Sequence, residues 1–331
     1  MTDKEKQYFV RKNESERKRI DRKLKSLLSD RKPLQLYKPA SYILESSGKR
    51  LRPLLVLYSA KASGGDYKQV YNAALAVELL HNFTLVHDDI MDKAELRRGR
   101  ETLHKRYGLN TAILAGDSLL SVAYELLLKD CKVNARSALG AFTNGLIEVC
   151  EGQSLDTDFE TRKSVSIDEY IEMISKKTAM MLKMCCELGS LLVDADPACV
   201  RSLSQYGLNL GIAFQIQDDL LDIMGDEEKF GKKVGGDLME GKKTFLFLKA
   251  LEKAKGKDKS DLMRVIKYKG IPQSEVSQYK KVYQRLGVFT DAENAIQNYT
   301  KKALTSLNKL TDKNSKALFH WLADSLIKRI R

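Results

Sequence analysis

The chain has 331 residues, 43% of them hydrophobic and 31% charged, with a net charge of +13. That is enough apolar material for a globular core, while the charge content excludes a membrane bundle and the 5 Pro and 20 Gly argue against a turn-rich β-sandwich. The positive surplus sits at the ends: residues 1–32 hold 12 Lys and Arg against 6 Asp and Glu, residues 251–331 hold 18 against 8, and the middle holds 27 against 30.

Residues 1–32 read as a solvated helix of mixed charge. Attraction to an anionic membrane surface is the functional alternative, at most a peripheral contact. No nucleic-acid module is expected, because aromatic residues do not interleave with the basic ones. The opening string MTDKEKQYFVRKNESERKR has no apolar leader core, and no run is expected to reach the roughly 18 apolar residues of a membrane span. The expectation is a soluble, cytoplasmic protein.

Further along, apolar spacings of three and four predict a helix over Tyr71–Met91, aligning Ala74, Val77, Leu80, Phe83, Thr84 and His87. Similar patterns run through Ser118–Leu128, Ile167–Leu192, Ser202–Met224, Lys243–Lys253 and Ala303–Ile330. Breakers fall at Gly64-Gly65, Gly99, Gly108, Pro197, Gly225, Gly235-Gly236 and Gly270 to Pro272. Strand signals are nearly absent and no flexible linker divides the chain, so the expected architecture is all-α, a single domain over 1–331. The five cysteines, Cys131, Cys150, Cys185, Cys186 and Cys199, show no zinc spacing and read as reduced and structural.

Two segments carry chemistry. His87-Asp88-Asp89-Ile90-Met91-Asp92 and Gln217-Asp218-Asp219-Leu220-Leu221-Asp222 repeat one pattern 130 residues apart, each after an apolar stretch. On a helix Asp88 and Asp92 share a face, as do Asp218 and Asp222, and like charges so placed repel unless a counter-ion joins them. Mg²⁺ suits hard carboxylate oxygens and commonly bridges to substrate phosphates. Basic residues accompany both segments: Gly48-Lys49-Arg50-Leu51-Arg52-Pro53, Arg97 and Arg98, Lys177-Thr178, Gly231-Lys232 and Gly241-Lys242. Carboxylates for metal, cations for phosphate and apolar helices together point to diphosphate ligands bearing hydrocarbon.

At this point the sequence resembles the trans-isoprenyl diphosphate synthase (polyprenyl synthetase) family, and within it the archaeal-type geranylgeranyl diphosphate synthases. The matching strings are GKRLRP (48–53), LLHNFTLVHDDIMDKAELRRG (79–99), YGLNTAILAGDSLL (107–120), KKTAMML (176–182), GIAFQIQDDLLD (211–222) and FGKKVGGDLMEGKKT (230–244), so the motif-bearing core covers about residues 40–245. The resemblance implies an all-α helical bundle around a central cavity, a homodimer, and a Mg²⁺ requirement of about three ions per site. It implies a prenyltransferase that condenses isopentenyl diphosphate with a dimethylallyl, geranyl or farnesyl diphosphate. By the same match Asp88, Asp89 and Asp92 resemble the first aspartate motif and Asp218, Asp219 and Asp222 the second, with Asp88, Asp92, Asp218 and Asp222 as metal ligands. Gly48, Lys49, Arg52, His81 and Arg98 resemble the isopentenyl diphosphate site. Arg97, Lys177, Gln215, Lys232 and Lys242 resemble ligands of the allylic diphosphate. Thr178 and Gln215 are expected to face the developing cation and Phe214 to pack beside it, while His87 reads as structural. Ser47, where the family often has Gly, and Phe245-Leu246 depart from the pattern.

Product length is expected to follow from Phe83 and Thr84. Phe83 lies five residues before Asp88, about 7.5 Å down a helix axis. Its ring should block very long chains while Thr84 leaves room past the farnesyl stage, which favours a C20 product, with C15 next and C25 or longer after it. A terpene cyclase would lack the GKRLR string, and a non-catalytic regulatory subunit should have lost an aspartate cluster.

Overall fold

The computed structural model describes residues 2–46, 48–225 and 234–327. Helices make up nearly all of its regular structure: α1 (Asp3–Ser26), α2 (Leu34–Leu44), α3 (Leu51–Ala62), α4 (Tyr71–Met91), α5 (Leu103–Tyr107), α6 (Leu109–Asp130), α7 (Ala135–Thr161), α8 (Ile167–Ile174), α9 (Met180–Leu191), α10 (Pro197–Met224), α11 (Gly236–Met239), α12 (Phe245–Lys253), α13 (Gly256–Tyr268), α14 (Val276–Arg285), α15 (Val288–Ser306) and α16 (Lys313–Ile327). Among the described residues the strands are β1 (Leu96–Arg97) and β2 (Arg100–Glu101), an antiparallel pair. The chain groups into two compact units. The first is Met1–Thr143, Met184–Leu203 and Leu310–Leu318; the second is Asn144–Lys183, Ser204–Lys309 and Phe319–Arg331.

In the first unit α3 is buried without a break from Pro53 to Ala60, and α4 likewise from Ala73 to Leu80. Beyond Leu80 the burial of α4 narrows to Asn82, Val86 and Asp89, one stripe at spacings of four and three. That narrowing turns Asp89 inward and leaves Asp88 and Asp92 on the other side. Helix α6 packs on α4 through a face that includes Ala112, Ala115, Gly116, Leu119 and Ala123, small enough for close approach. Asp130, buried at the end of α6, accepts from the Ala73 backbone N–H (2.8 Å) and from Asn72 Nδ2 (2.7 Å). It thereby supplies the N-terminal cap that Val70 cannot give α4. One expectation is corrected here. Leu109–Asp130 is long and apolar enough to cross a membrane, with mean hydropathy 1.4 over 18 residues, although 44% of that stretch is buried inside the protein.

The second unit packs α8, α10 and α12 to α15 around Tyr170, Ile216, Leu220, Phe247, Leu262 and Tyr283. Two helical patterns are broken in ways that periodicity does not reveal. Ile167–Leu192 contains a π-helical segment, Ser175–Ala179, with the wider turn often found at functional sites. A Cβ on Gly152 of α7 would lie 2.2 Å from the Lys177 backbone nitrogen, so only glycine lets α7 lie against it. Ala303–Ile330 is also interrupted, by a 3₁₀ turn at Leu307–Lys309; Asp312 then accepts from the Asn314 and Ser315 amides and opens α16, and Ile330 lies outside the described residues.

Candidate active site

The first acidic cluster ends α4, where the negative pole of the helix dipole already disfavours carboxylates. Three aspartates there contradict local stability, the mark of a site built for a cation. Asp89 is 5% exposed and its Oδ1 accepts from Arg97 Nε at 2.5 Å. Burial pushes its carboxyl above the usual value, opposed by the Arg97 guanidinium. Arg97 is delivered by the β1–β2 hairpin, whose turn is Arg98 (φ 54°) and Gly99 (φ 74°). Both central residues are left-handed, as a type I′ turn demands, so the turn fixes where the two arginines point. Arg98 Nη1 reaches Ser46 Oγ at 3.4 Å, and Arg52 Nη1 donates to His81 Nε2 at 3.2 Å. Burial first, then the positive field of Arg52, Arg98, Arg97 and Arg50, pushes the His81 imidazole well below its ordinary value. It is therefore neutral at pH 7, and its Nδ1 is buried without a hydrogen-bond partner. Gly48, Lys49, Arg52, His81 and Arg98 thus lie in one unit with the first cluster.

One and a half turns before Asp88, the Phe83 ring lies against His87, with centroids 4.5 Å apart. His87 Nδ1 pairs with the Phe83 carbonyl (3.0 Å) and its Nε2 lies 3.5 Å from Asp117 Oδ1. Thr84 turns its hydroxyl back onto the His81 carbonyl (2.9 Å).

The second cluster likewise closes a long helix, α10. Asp219, 6% exposed, accepts from the Tyr170 hydroxyl (2.5 Å), Gln215 Nε2 (3.1 Å) and the Phe245 amide (3.3 Å). Burial raises its carboxyl, and those three donors pull the other way. Gln215 Oε1 in turn accepts from Thr178 Oγ1 at 2.9 Å, which joins the π-helical segment to α10. Phe214 and Asp218 sit on the same helix, Asp218 exposed and Asp222 half-buried. Lys177 pairs with Asp156 (2.5 Å) and Lys242 with Glu240 (2.7 Å). Lys232 lies outside the described residues.

Several residues with evident roles carried no assignment in the sequence. Tyr170 and Asp156 pair with site residues 49 and 21 positions away. Asp237 donates its backbone N–H to Asp222 Oδ2 (3.1 Å), and burial, then the charges of Asp219 and Asp222, push its own carboxyl up. The only signal for Asp237 was its place beside Gly235-Gly236. Among the described residues no three His, Cys, Asp or Glu side chains form a ready-made metal cage. The donors are hard carboxylate oxygens one helical turn apart, a set that suits Mg²⁺ completed by waters and phosphate oxygens.

Known proteins resemble this chain over most of its length. The polyprenyl synthetase family model matches residues 33–286, past the last recognised motif. Geranylgeranyl pyrophosphate synthase of Geoglobus acetivorans is 39% identical over 314 residues, 94% of this chain and 96% of that one. Geranylfarnesyl diphosphate synthase of Natronomonas pharaonis is 42% identical over 237 residues, 66% of this chain and 70% of its own. The crystal structure of geranylgeranyl pyrophosphate synthetase from Pyrococcus horikoshii superposes with a TM-score of 0.90 at 36% identity, covering 99% of this chain and 100% of that one. The chain belongs to the polyprenyl synthetase family and is a trans-prenyltransferase enzyme.

Proposed function

We propose that this enzyme condenses isopentenyl diphosphate with allylic diphosphates to make all-trans geranylgeranyl diphosphate (C20), its two units acting as one catalytic domain. One observation carries the reading: two long helices each end in an acidic triplet whose middle carboxylate is buried and hydrogen-bonded. Asp88, Asp92, Asp218 and Asp222 would hold Mg²⁺, about three ions per site in this family's manner. Bound Mg²⁺ neutralises charge on the departing diphosphate. Arg97, Lys177, Lys232 and Lys242 bind and orient the allylic diphosphate, and Gly48, Lys49, Arg52, His81 and Arg98 the isopentenyl diphosphate. The Thr178 and Gln215 oxygens place dipoles toward the developing cation, with Phe214 packed alongside. The released diphosphate takes the proton, so no side-chain base is required.

The Phe83 ring, braced on His87, supports a floor at C20. The geranylfarnesyl relative keeps C25 open, and C15 remains the shorter alternative. Homodimerisation is part of this proposal, supported by exposed Leu109, Ile113, Leu114 and Leu128 on α6. So are a cytoplasmic location and peripheral membrane contact at most.

Product analysis with Mg²⁺, isopentenyl diphosphate and each of the C5, C10 and C15 primers tests the reading. A C20 product that lengthens in Phe83→Ala supports it, and EDTA should abolish turnover. A C20 product unchanged in Phe83→Ala removes Phe83 as the floor. No condensation with any primer would favour the regulatory-subunit alternative.

A further inference from the structure

Arg50 stands between Lys49 and Arg52 in the first basic string, yet the site described above gives it no ligand. It is 3% exposed and adopts φ 49°, ψ 35°, a left-handed conformation that residues of its type avoid. Its side chain is held on three sides. Nε donates to Asp21 Oδ1 on α1 (2.7 Å), Nη1 to Glu78 Oε1 on α4 (2.6 Å), and Nη2 to the Ser46 carbonyl (2.5 Å). Arg50 is also the N-cap of α3, its carbonyl accepting from the Leu54 amide (3.1 Å), so its backbone sets the first turn, on which Arg52 sits.

We infer that Arg50 is a positioning residue: anchored by Asp21 and Glu78, it holds residues 48–52 in the conformation that presents Lys49, Arg52 and Arg98 to the isopentenyl diphosphate. This rests on the function proposed above. A Cβ on Gly48 would lie 3.1 Å from Arg98 Nη1 and 3.4 Å from Arg50 Nη1, so two guanidinium groups crowd one glycine. Such an approach is tolerable because two carboxylates neutralise Arg50, leaving Arg98 to carry its charge toward a phosphate. Glu78 stands one turn before His81 on α4, so the same anchor ties the loop to the imidazole. A buried ion pair is a poor device for stability alone but a good one for fixing geometry. The charged N-terminal helix thereby has a task, since Asp21 belongs to it.

Steady-state kinetics of Arg50→Gly and Asp21→Asn test it, each substrate varied with the other saturating. Glycine relaxes the left-handed backbone while removing the anchors, and Asp21→Asn keeps the Glu78 pair should Arg50→Gly fail to fold. Both variants should raise KM for isopentenyl diphosphate about tenfold or more, as loss of orientation does, with KM for the allylic primer within about twofold. Equal rises for both substrates, or a lowered Tm with both KM values unchanged, would overturn the inference and leave a merely structural ion pair. Wild-type protein that condenses nothing would overturn the proposed function and this inference with it; active wild type with unaltered variants overturns this inference alone.

Discussion

The ends of α4 and α10 carry the same acidic pattern, but the two are held differently. Asp89 is fixed by a charge, Arg97, eight residues away on a tight hairpin. Asp219 is fixed by neutral donors, Tyr170 from α8, Gln215 one turn earlier and the Phe245 amide that begins α12. Beside the first cluster Arg97 pairs with Asp89 itself, whereas the cations nearest the second, Lys177 and Lys242, pair with other carboxylates, Asp156 and Glu240. A buried carboxylate can thus be kept in place by a screenable ion pair or by a shell of dipoles, and the choice sets what each end responds to.

The largest effect should come from the outward carboxylates common to both ends. Asp88→Ala and Asp218→Ala should each lower kcat/KM by about three orders of magnitude, the several kcal/mol that a metal-held charge contributes. Wild-type turnover in either at excess Mg²⁺ would remove that residue as a ligand. The inward carboxylates should separate the two ends. Tyr170→Phe removes one of three donors to Asp219 and should cost about 1–3 kcal/mol of stability, with little change between low and high salt. Asp89→Asn should cost about 1 kcal/mol, a gap that narrows as salt screens the half-exposed Arg97. Denaturant melts at two ionic strengths check both; equal salt dependence would erase the distinction.

A smaller effect belongs to the entrance of α8. The Ser166 backbone N–H, then Arg162 and the Ser166 hydroxyl, hold the Glu169 carboxyl down to about 2. Because the folded value lies below the unfolded one, this contribution is present above about pH 4.5 and fades as pH falls toward 2. Glu169→Gln should lower Tm slightly at pH 7 and not at pH 2, read from thermal melts across that window. A constant difference at every pH would assign the loss to packing instead.

Much of this was legible in the chain. Tyr71–Met91 is a helix with the boundaries its periodicity predicts, because a long, strongly patterned stretch buries one face whatever its partner. The two acidic triplets and the basic strings were legible too, since their chemistry lies in residue type and short spacing. The β1–β2 hairpin was not anticipated, being only two residues per strand; Gly99 was its one cue. Nor was the apolar length of α6, where Leu, Ile and Val raise the hydropathy although Asp117 and Glu125 interrupt every unbroken apolar run. The π-helical segment that carries Lys177 and Thr178 hides inside an ordinary helical pattern, and the helix packed closely on it at Gly152 is a separate stretch of the chain.

By itself, then, the sequence determined the helices, the family and the kinds of groups that meet the diphosphates, all of which depend on local spacing and residue chemistry. Only the tertiary structure decided which carboxylate of each triplet turns inward, that Tyr170 and Phe245 meet Asp219, and that Asp21 and Glu78 close on Arg50. Those partners lie between 26 and 49 residues apart along the chain, and no local preference encodes them. They are chosen by burial, which leaves a charged or polar group stable only where folding happens to bring it a partner.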